Sequence, residues 1–203
     1  MEFWNDVTTD KGWQVLLKLR KELDFILIGG WACYLYTKSI KSKDIDIIID
    51  FETLDKMKRD YNIKKTDFLK KYEAKADGIS VDIYVPFYSK LAVPIGEIEN
   101  NCSSLEGFEL PKPEMLLILK QHAEMERPHS VKGEKDRVDI LNLMMKSNLN
   151  KQLYIDLCKQ NALAGYPDRL KSIIRTAKKE FEYLGIRDLR KRKLLKKKLE
   201  IGL

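Results

Sequence analysis

Four isoleucines fall within the six residues Asp44-Ile45-Asp46-Ile47-Ile48-Ile49. β-Branched residues at this density favour a strand covered on both faces, and such strands sit inside sheets that helices flank. Two aspartates interrupt the run. Residues two apart in a strand point to the same face, so Asp44 and Asp46 present neighbouring carboxylates while Ile45 and Ile47 face the other way. Like charges at that separation repel, and the segment therefore asks for a positive partner.

The flanking sequence supplies the rest of a small α/β unit. Trp13, Leu16, Leu17 and Leu19 have helical spacing. Phe25-Ile26-Leu27-Ile28 is a short apolar run that stops at Gly29-Gly30, which predicts a buried strand ending in a tight turn. Trp31 to Tyr36 reads as an apolar helix, and the polar stretch Thr37 to Lys43 leads into the isoleucine strand. Asp50 can cap an outer helix carrying Glu52 with Lys56 and Asp55 with Arg59 at i, i+4. Asp77-Gly78 is a hairpin turn between Tyr72–Ala76 and Ile79–Val85. After Pro86 no regular pattern is read until Pro113, which suits the first turn of a helix running toward Arg127 and ended by Pro128. Helical patterns follow at 135–146, 151–163 and 167–184, with Gly185 as a C-terminal cap. The expected fold class is α+β: a small mixed-sheet domain over 1–110, then an all-helical domain over 111–203 ending in a basic tail.

Composition narrows the function classes. Hydrophobic residues make up 44% and charged residues 34% of the 203 residues, a globular balance with a heavily charged surface. No run approaches the roughly 20 apolar residues of a membrane span, and Met1-Glu2-Phe3-Trp4 does not open a signal peptide, so a cytoplasmic protein without membrane contact is expected. Cys33, Cys102 and Cys158 form no Cys-x-x-Cys pair and read as buried or incidental thiols. His122 and His129 lack the i, i+4 spacing of a helical zinc motif. From Arg187 to Leu203 eight basic residues face two acidic ones, so this segment carries six of the seven net positive charges. That distribution suits either a polyanion contact, such as RNA, or a solvated charged helix.

Asp82, between Val81 and Ile83 in a second predicted strand, can join Asp44 and Asp46 as a third carboxylate. Oxygen-only ligands suit magnesium or manganese. Two such ions about 4 Å apart can activate an attacking oxygen and stabilise a leaving pyrophosphate. Gly29 and Gly30, at a strand end before a helix, let backbone N–H groups approach a triphosphate. Taken singly, Asp-x-Asp also suits a solvent-facing strand and Gly-Gly an ordinary turn; the combination is what points to chemistry.

The combination resembles the DNA polymerase beta-like nucleotidyltransferase superfamily, through Ile28-Gly29-Gly30, Asp44-Ile45-Asp46-Ile47 and Val81-Asp82-Ile83. The resemblance covers about the first half of the chain. It implies that Asp44, Asp46 and Asp82 are the catalytic metal ligands, that Asp82 also helps to activate the acceptor hydroxyl, and that Gly29, Gly30 and Ser42, with the adjacent Lys43, bind the nucleotide. The second half is similar to AbiEii-type toxin nucleotidyltransferases, through Lys120, Arg127 and Lys135-Asp136-Arg137-Val138-Asp139-Ile140. This likeness implies nucleotide contacts at Lys120 and Asp139, with Asp136 as an alternative, and an antitoxin-type protein partner; a salt-bridge network on the helix surface is the other reading of the same residues. Ile40-Lys41-Ser42 departs from the arginine that such toxins often carry at this point.

The expectation is a transferase that moves a nucleoside monophosphate from an NTP such as ATP to an acceptor hydroxyl, on RNA or a tRNA end, with Mg2+ (or Mn2+) and release of pyrophosphate. A protein or small-molecule acceptor is the alternative within the same chemistry. A non-catalytic nucleic-acid- or partner-binding protein on the same fold is the alternative outside it.

Overall fold

The computed structural model describes residues 5–203; the reading of Met1 to Trp4 falls outside the described residues. The fold is α+β, and its described residues divide into two compact units, 5–112 and 113–203.

In the first unit Asn5 caps α1 (Asp6–Glu22) by accepting from the Val7 N–H at 2.8 Å. The chain then runs β1 (Ile26–Ile28), α2 (Gly29–Thr37), β2 (Ile45–Ile48), α3 (Phe51–Asp60), β3 (Lys64–Thr66), β4 (Lys71–Ala76), β5 (Ile79–Tyr84), α4 (Ile95–Glu99), β6 (Cys102–Leu105) and β7 (Phe108–Pro111). The strands form one seven-stranded mixed sheet in the order β3-β4-β5-β2-β1-β7-β6. β2 is central, antiparallel to β1 and parallel to β5. Its Ile45 and Ile47 pair in register with Val81 and Ile83, and all four are fully buried. Their apolar side chains fix the register, because a one-residue slip would turn them to the face that carries Asp46.

Asp50 caps α3 as expected, accepting from Thr53 N–H at 2.7 Å, and Glu52 pairs with Lys56. Asp55 pairs instead with Lys58 at 2.8 Å, one residue short of the expected Arg59. Asp77 and Gly78, both at positive φ, make the predicted two-residue hairpin turn. The stretch read as irregular after Pro86 contains α4 and a second hairpin, β6–β7. Its turn, Glu106-Gly107, also has positive φ at both residues.

The second unit holds α5 (Pro113–Glu126), α6 (Val131–Lys146), α7 (Lys151–Gln160), α8 (Tyr166–Thr176), α9 (Lys179–Tyr183) and α10 (Leu189–Glu200). The span predicted as one helix over 167–184 is two, α8 and α9, broken at Ala177-Lys178. The basic tail is a helix. Asp188 caps its start, accepting from Lys191 N–H, and Lys151 Nζ donates to the carbonyls of Lys198, Leu199 and Ile201 at its end. Leu199 is buried and Lys196 Nζ reaches Arg175 O at 2.7 Å, which ties the helix to the unit. Among the described residues, no helix is long and apolar enough to cross a membrane.

Candidate nucleotide and metal site

Register assembles the site. Asp46 pairs with Asp82 across the parallel β2–β5 ladder, and Asp82 pairs with Glu73 across the antiparallel β5–β4 ladder. Paired residues share a face, so Glu73, Asp82 and Asp46 form a row over three adjacent strands, each about 5 Å from the next. Glu73 is a member that sequence motifs do not reveal; only the hairpin register places it there. On the far side Asp46 pairs with Ile28, the last residue of β1, which sets Asp46 beside the first residue of α2.

Gly29 is required at that junction for two reasons. Its φ is +68°, in the region that favours glycine. A Cβ there would also lie 2.1 Å from Asp46 Oδ2, inside contact distance. The Asp46 carboxylate therefore occupies the space a side chain at position 29 would fill, against the N-terminal turn of α2, where backbone N–H groups and the helix dipole favour negative charge. Gly30 is buried in that turn, whereas Ser42 is buried with its backbone toward α1: Ser42 O lies 3.6 Å from where a Gly12 Cβ would be. Asp44 stands just before β2, and it and Lys43 are half-buried.

A lysine answers the row's negative charge. Lys71 Nζ lies 2.7 Å from Asp82 Oδ2 and 2.9 Å from Glu73 Oε1, with the Lys71 and Asp82 side chains 12% and 14% exposed. Burial pushes the Lys71 ammonium down, but Asp82 and Glu73 outweigh it and hold its pKa above the ordinary lysine value. Among the described residues no three Asp, Glu, His or Cys side chains converge to hold a metal ion. The chemistry of the row nonetheless fits a hard divalent cation: its donors are carboxylate oxygens, and it already holds a cationic group between two of them. Replacing Lys71 by Met, which keeps length and removes charge, is expected to tighten Mn2+ binding to the nucleotide-free protein by about tenfold, roughly 1.4 kcal/mol of relieved competition. Titration calorimetry would read this, with Lys71→Arg as the charge-retaining control.

The helical unit brings together Lys120 and Asp139, with Asp136 beside them. Lys120 Nζ lies 3.0 Å from Asp136 Oδ1 and 2.8 Å from Asp139 Oδ2, while Lys135 reaches Asp139 Oδ2 at 2.8 Å. Arg127 forks onto Asp136 Oδ2 through two N–H groups at 2.9 and 2.7 Å. These residues do form a salt-bridge network, but a buried one and not one on the helix surface: Lys120, Lys135, Asp136 and Asp139 are each at most 6% exposed. Burial pushes the Asp139 carboxyl up, but Lys120 and Lys135 more than reverse this and hold it below the usual carboxylate range. Nearby, Glu124 accepts two bonds from Arg169, and Gln121 joins Tyr154 to the Tyr166 carbonyl. His122 takes part in this polar core through Tyr166 OH at 3.1 Å.

Other groups fall outside the chemistry. Trp31 is fully buried and packs against Trp13 and Tyr34, so it is a core residue. Burial pushes the Cys102 thiol up to about 12, which removes it as a nucleophile at neutral pH.

No family model and no curated protein matches the chain. Among solved structures it is similar to JHP933 from Helicobacter pylori, with TM-score 0.50, 18% identity and coverage of 97% of this chain and 94% of that one. It is also similar to an antigenic nucleotidyltransferase-like protein from Paracoccidioides brasiliensis, with TM-score 0.40, 18% identity and coverage of 77% and 89%. The likeness to JHP933 is one of fold, and it runs through nearly the whole of both chains.

Proposed function

We propose that the protein is a metal-dependent nucleotidyltransferase of the cytoplasm that transfers a nucleoside monophosphate from an NTP to a hydroxyl of RNA. The observation that carries this reading is the pairing of Asp46 with Asp82 on adjacent parallel strands, with the Asp46 carboxylate set against Gly29 where α2 begins. Asp44, Asp46 and Asp82 would hold Mg2+ (or Mn2+), which when bound neutralises the triphosphate and lowers the cost of charge on the leaving group. The backbone N–H groups at the start of α2 bind phosphate oxygens. Asp82 Oδ2, once Lys71 releases it, takes the proton of the acceptor hydroxyl. The acceptor oxygen then forms its bond to the α-phosphorus as the bond to the β-phosphate oxygen breaks, and pyrophosphate leaves.

Support for an RNA acceptor comes from α10, whose Arg190, Lys191, Lys193, Lys197 and Lys198 are exposed along one side. An antitoxin-type partner would regulate such an enzyme.

Thermal melting with each of the four NTPs and magnesium tests the reading at its first step. At about 100 times its dissociation constant, a bound NTP adds about 2.7 kcal/mol, which raises the melting midpoint by several degrees. A magnesium-dependent rise with at least one NTP is expected. No rise with any of them points to a non-catalytic binding protein.

A further inference from the structure

The loop that follows β5 is built in a way the transfer reaction does not explain. Tyr88 N–H donates to Pro86 O at 2.7 Å and Ser89 N–H to Val85 O at 3.1 Å, while Val85 N–H donates to Ser89 Oγ at 3.0 Å. The first of these closes a γ-turn on Phe87, whose φ is +62°. Such a turn is rare and strained for a residue with a side chain. Nothing is gained in burial: Phe87 is 103% exposed, and Phe68, in the turn between β3 and β4, is 94% exposed. A clamped, strained loop that holds an aromatic ring in water is better suited to binding than to folding.

The two turns are fastened to each other. Tyr88 OH shares its proton between Thr66 O at 3.3 Å and Asp67 Oδ1 at 3.1 Å, and the Tyr72 and Tyr88 rings meet at a 50° tilt with centroids 5.2 Å apart. On the same turns Lys65 Nζ and Lys70 Nζ lie 4.6 and 5.5 Å from the centre of the Tyr88 ring, Lys65 also meets Asp67 at 3.2 Å, and Lys90 is exposed three residues beyond Phe87. Two exposed aromatic rings on joined turns that carry lysines suit unpaired nucleotides, whose bases stack on the rings while their phosphates meet the lysines. Phe87 also follows the strand that carries Asp82.

We infer that Phe68 and Phe87 form a stacking platform for single-stranded RNA, with Lys65, Lys70 and Lys90 on its phosphates. The inference rests on the nucleotidyltransferase reading, in which RNA is the acceptor. The strain at Phe87 serves to aim the ring, so relieving it should stabilise the protein and weaken binding together.

The experiment is fluorescence anisotropy of a fluorescein-labelled 12-nucleotide oligouridylate with the full chain, at fixed salt and in EDTA so that no turnover occurs. Phe68→Ala and Phe87→Ala should each weaken binding about fivefold or more, the range for loss of one stacked base. Phe87→Trp should retain affinity, and its added emission should be quenched by unlabelled oligonucleotide. Phe87→Gly should weaken binding while raising the melting midpoint by about 2–4 °C. Wild-type affinity in both alanine variants overturns the platform, as does a wild-type chain that does not bind the oligonucleotide. Conversion of a wild-type dimer to a monomer by these variants, with unchanged RNA affinity, also overturns it and makes the surface a contact between copies. Transfer that proceeds with ring-independent RNA binding faults the platform alone, whereas ring-dependent binding without any transfer faults the enzyme reading.

Discussion

Asp46→Asn is expected to lower nucleotidyl transfer by about three orders of magnitude or more while leaving the fold intact. The substitution keeps the volume of the side chain, so the close approach to Gly29 is unchanged. It also removes one of two carboxylates paired side by side on β2 and β5, and the repulsion relieved offsets the charge lost from the start of α2. What it removes is an anionic ligand. Lewis-acid and charge-neutralising catalysis contributes several kcal/mol to transfer of this kind, and each 1.4 kcal/mol is a factor of ten in rate. Steady-state assays beside far-UV circular dichroism of the same variant separate lost catalysis from lost structure. Undiminished magnesium-dependent transfer by a folded Asp46→Asn protein would contradict the assignment.

The largest expected effect on stability lies in the helical unit. Asp139→Ala leaves Lys120 and Lys135 facing a buried site without the carboxylate that both contact at 2.8 Å. Removing one partner of a buried ionic group typically destabilises by about 3–5 kcal/mol, because the remaining charges keep their desolvation cost. Urea unfolding followed at 222 nm would measure it. Substituting Lys120, Lys135 and Asp139 together by apolar residues should cost less than Asp139→Ala alone, since Asp136 keeps Arg127. The pH dependence has a definite sign. Asp139 is held below its ordinary value of 3.8 in the folded protein, so its contribution is complete above that pH and is lost as pH falls through the lower folded value. The wild type should therefore lose stability below about pH 4 more steeply than Asp139→Asn, which has no proton to bind there.

The sequence makes the centre of the site readable and its periphery much less so. The order β1, Gly29-Gly30, α2, β2 is visible because each element has a local cause: an apolar run, a pair of glycines, a short apolar helix and a strand dense in isoleucine. The Asp77-Gly78 hairpin and the Asp50 cap are local in the same sense. The β6–β7 hairpin escapes because Cys102–Leu105 is half-exposed without alternation and because Glu106, rather than Asn or Asp, takes the first left-handed position of its turn. β3, three polar residues on the sheet edge, has no apolar signal at all. The break between α8 and α9 falls at Ala177-Lys178, with neither Gly nor Pro to announce it. In α10 the basic residues conceal Leu195 and Leu199, whose i, i+4 spacing marks the side that packs.

The candidate site shows the same division. Asp46 and Asp82 sit in motifs and stand out from their apolar neighbours. Glu73 and Lys71 belong to the same row, but only the pairing of three strands puts them there. Lys120 and Asp139 are legible as a likeness of spacing; that they are buried together depends on how α5 and α6 pack. Phe87 carries no sequence signal, since its meaning lies in a backbone angle and in its exposure.

Nucleotidyl and phosphoryl transfer move different parts of the same triphosphate, so the fate of each phosphorus tests the central claim most directly. The protein, magnesium and RNA are incubated with each NTP labelled either at the α- or at the γ-phosphorus, and the RNA and released products are separated. The account predicts that α-label enters the RNA with one pyrophosphate released per nucleotide, that γ-label leaves in pyrophosphate, and that Asp46→Asn does neither. Label entering RNA from the γ-position, or no transfer of α-label by the wild type with any of the four NTPs, would contradict it.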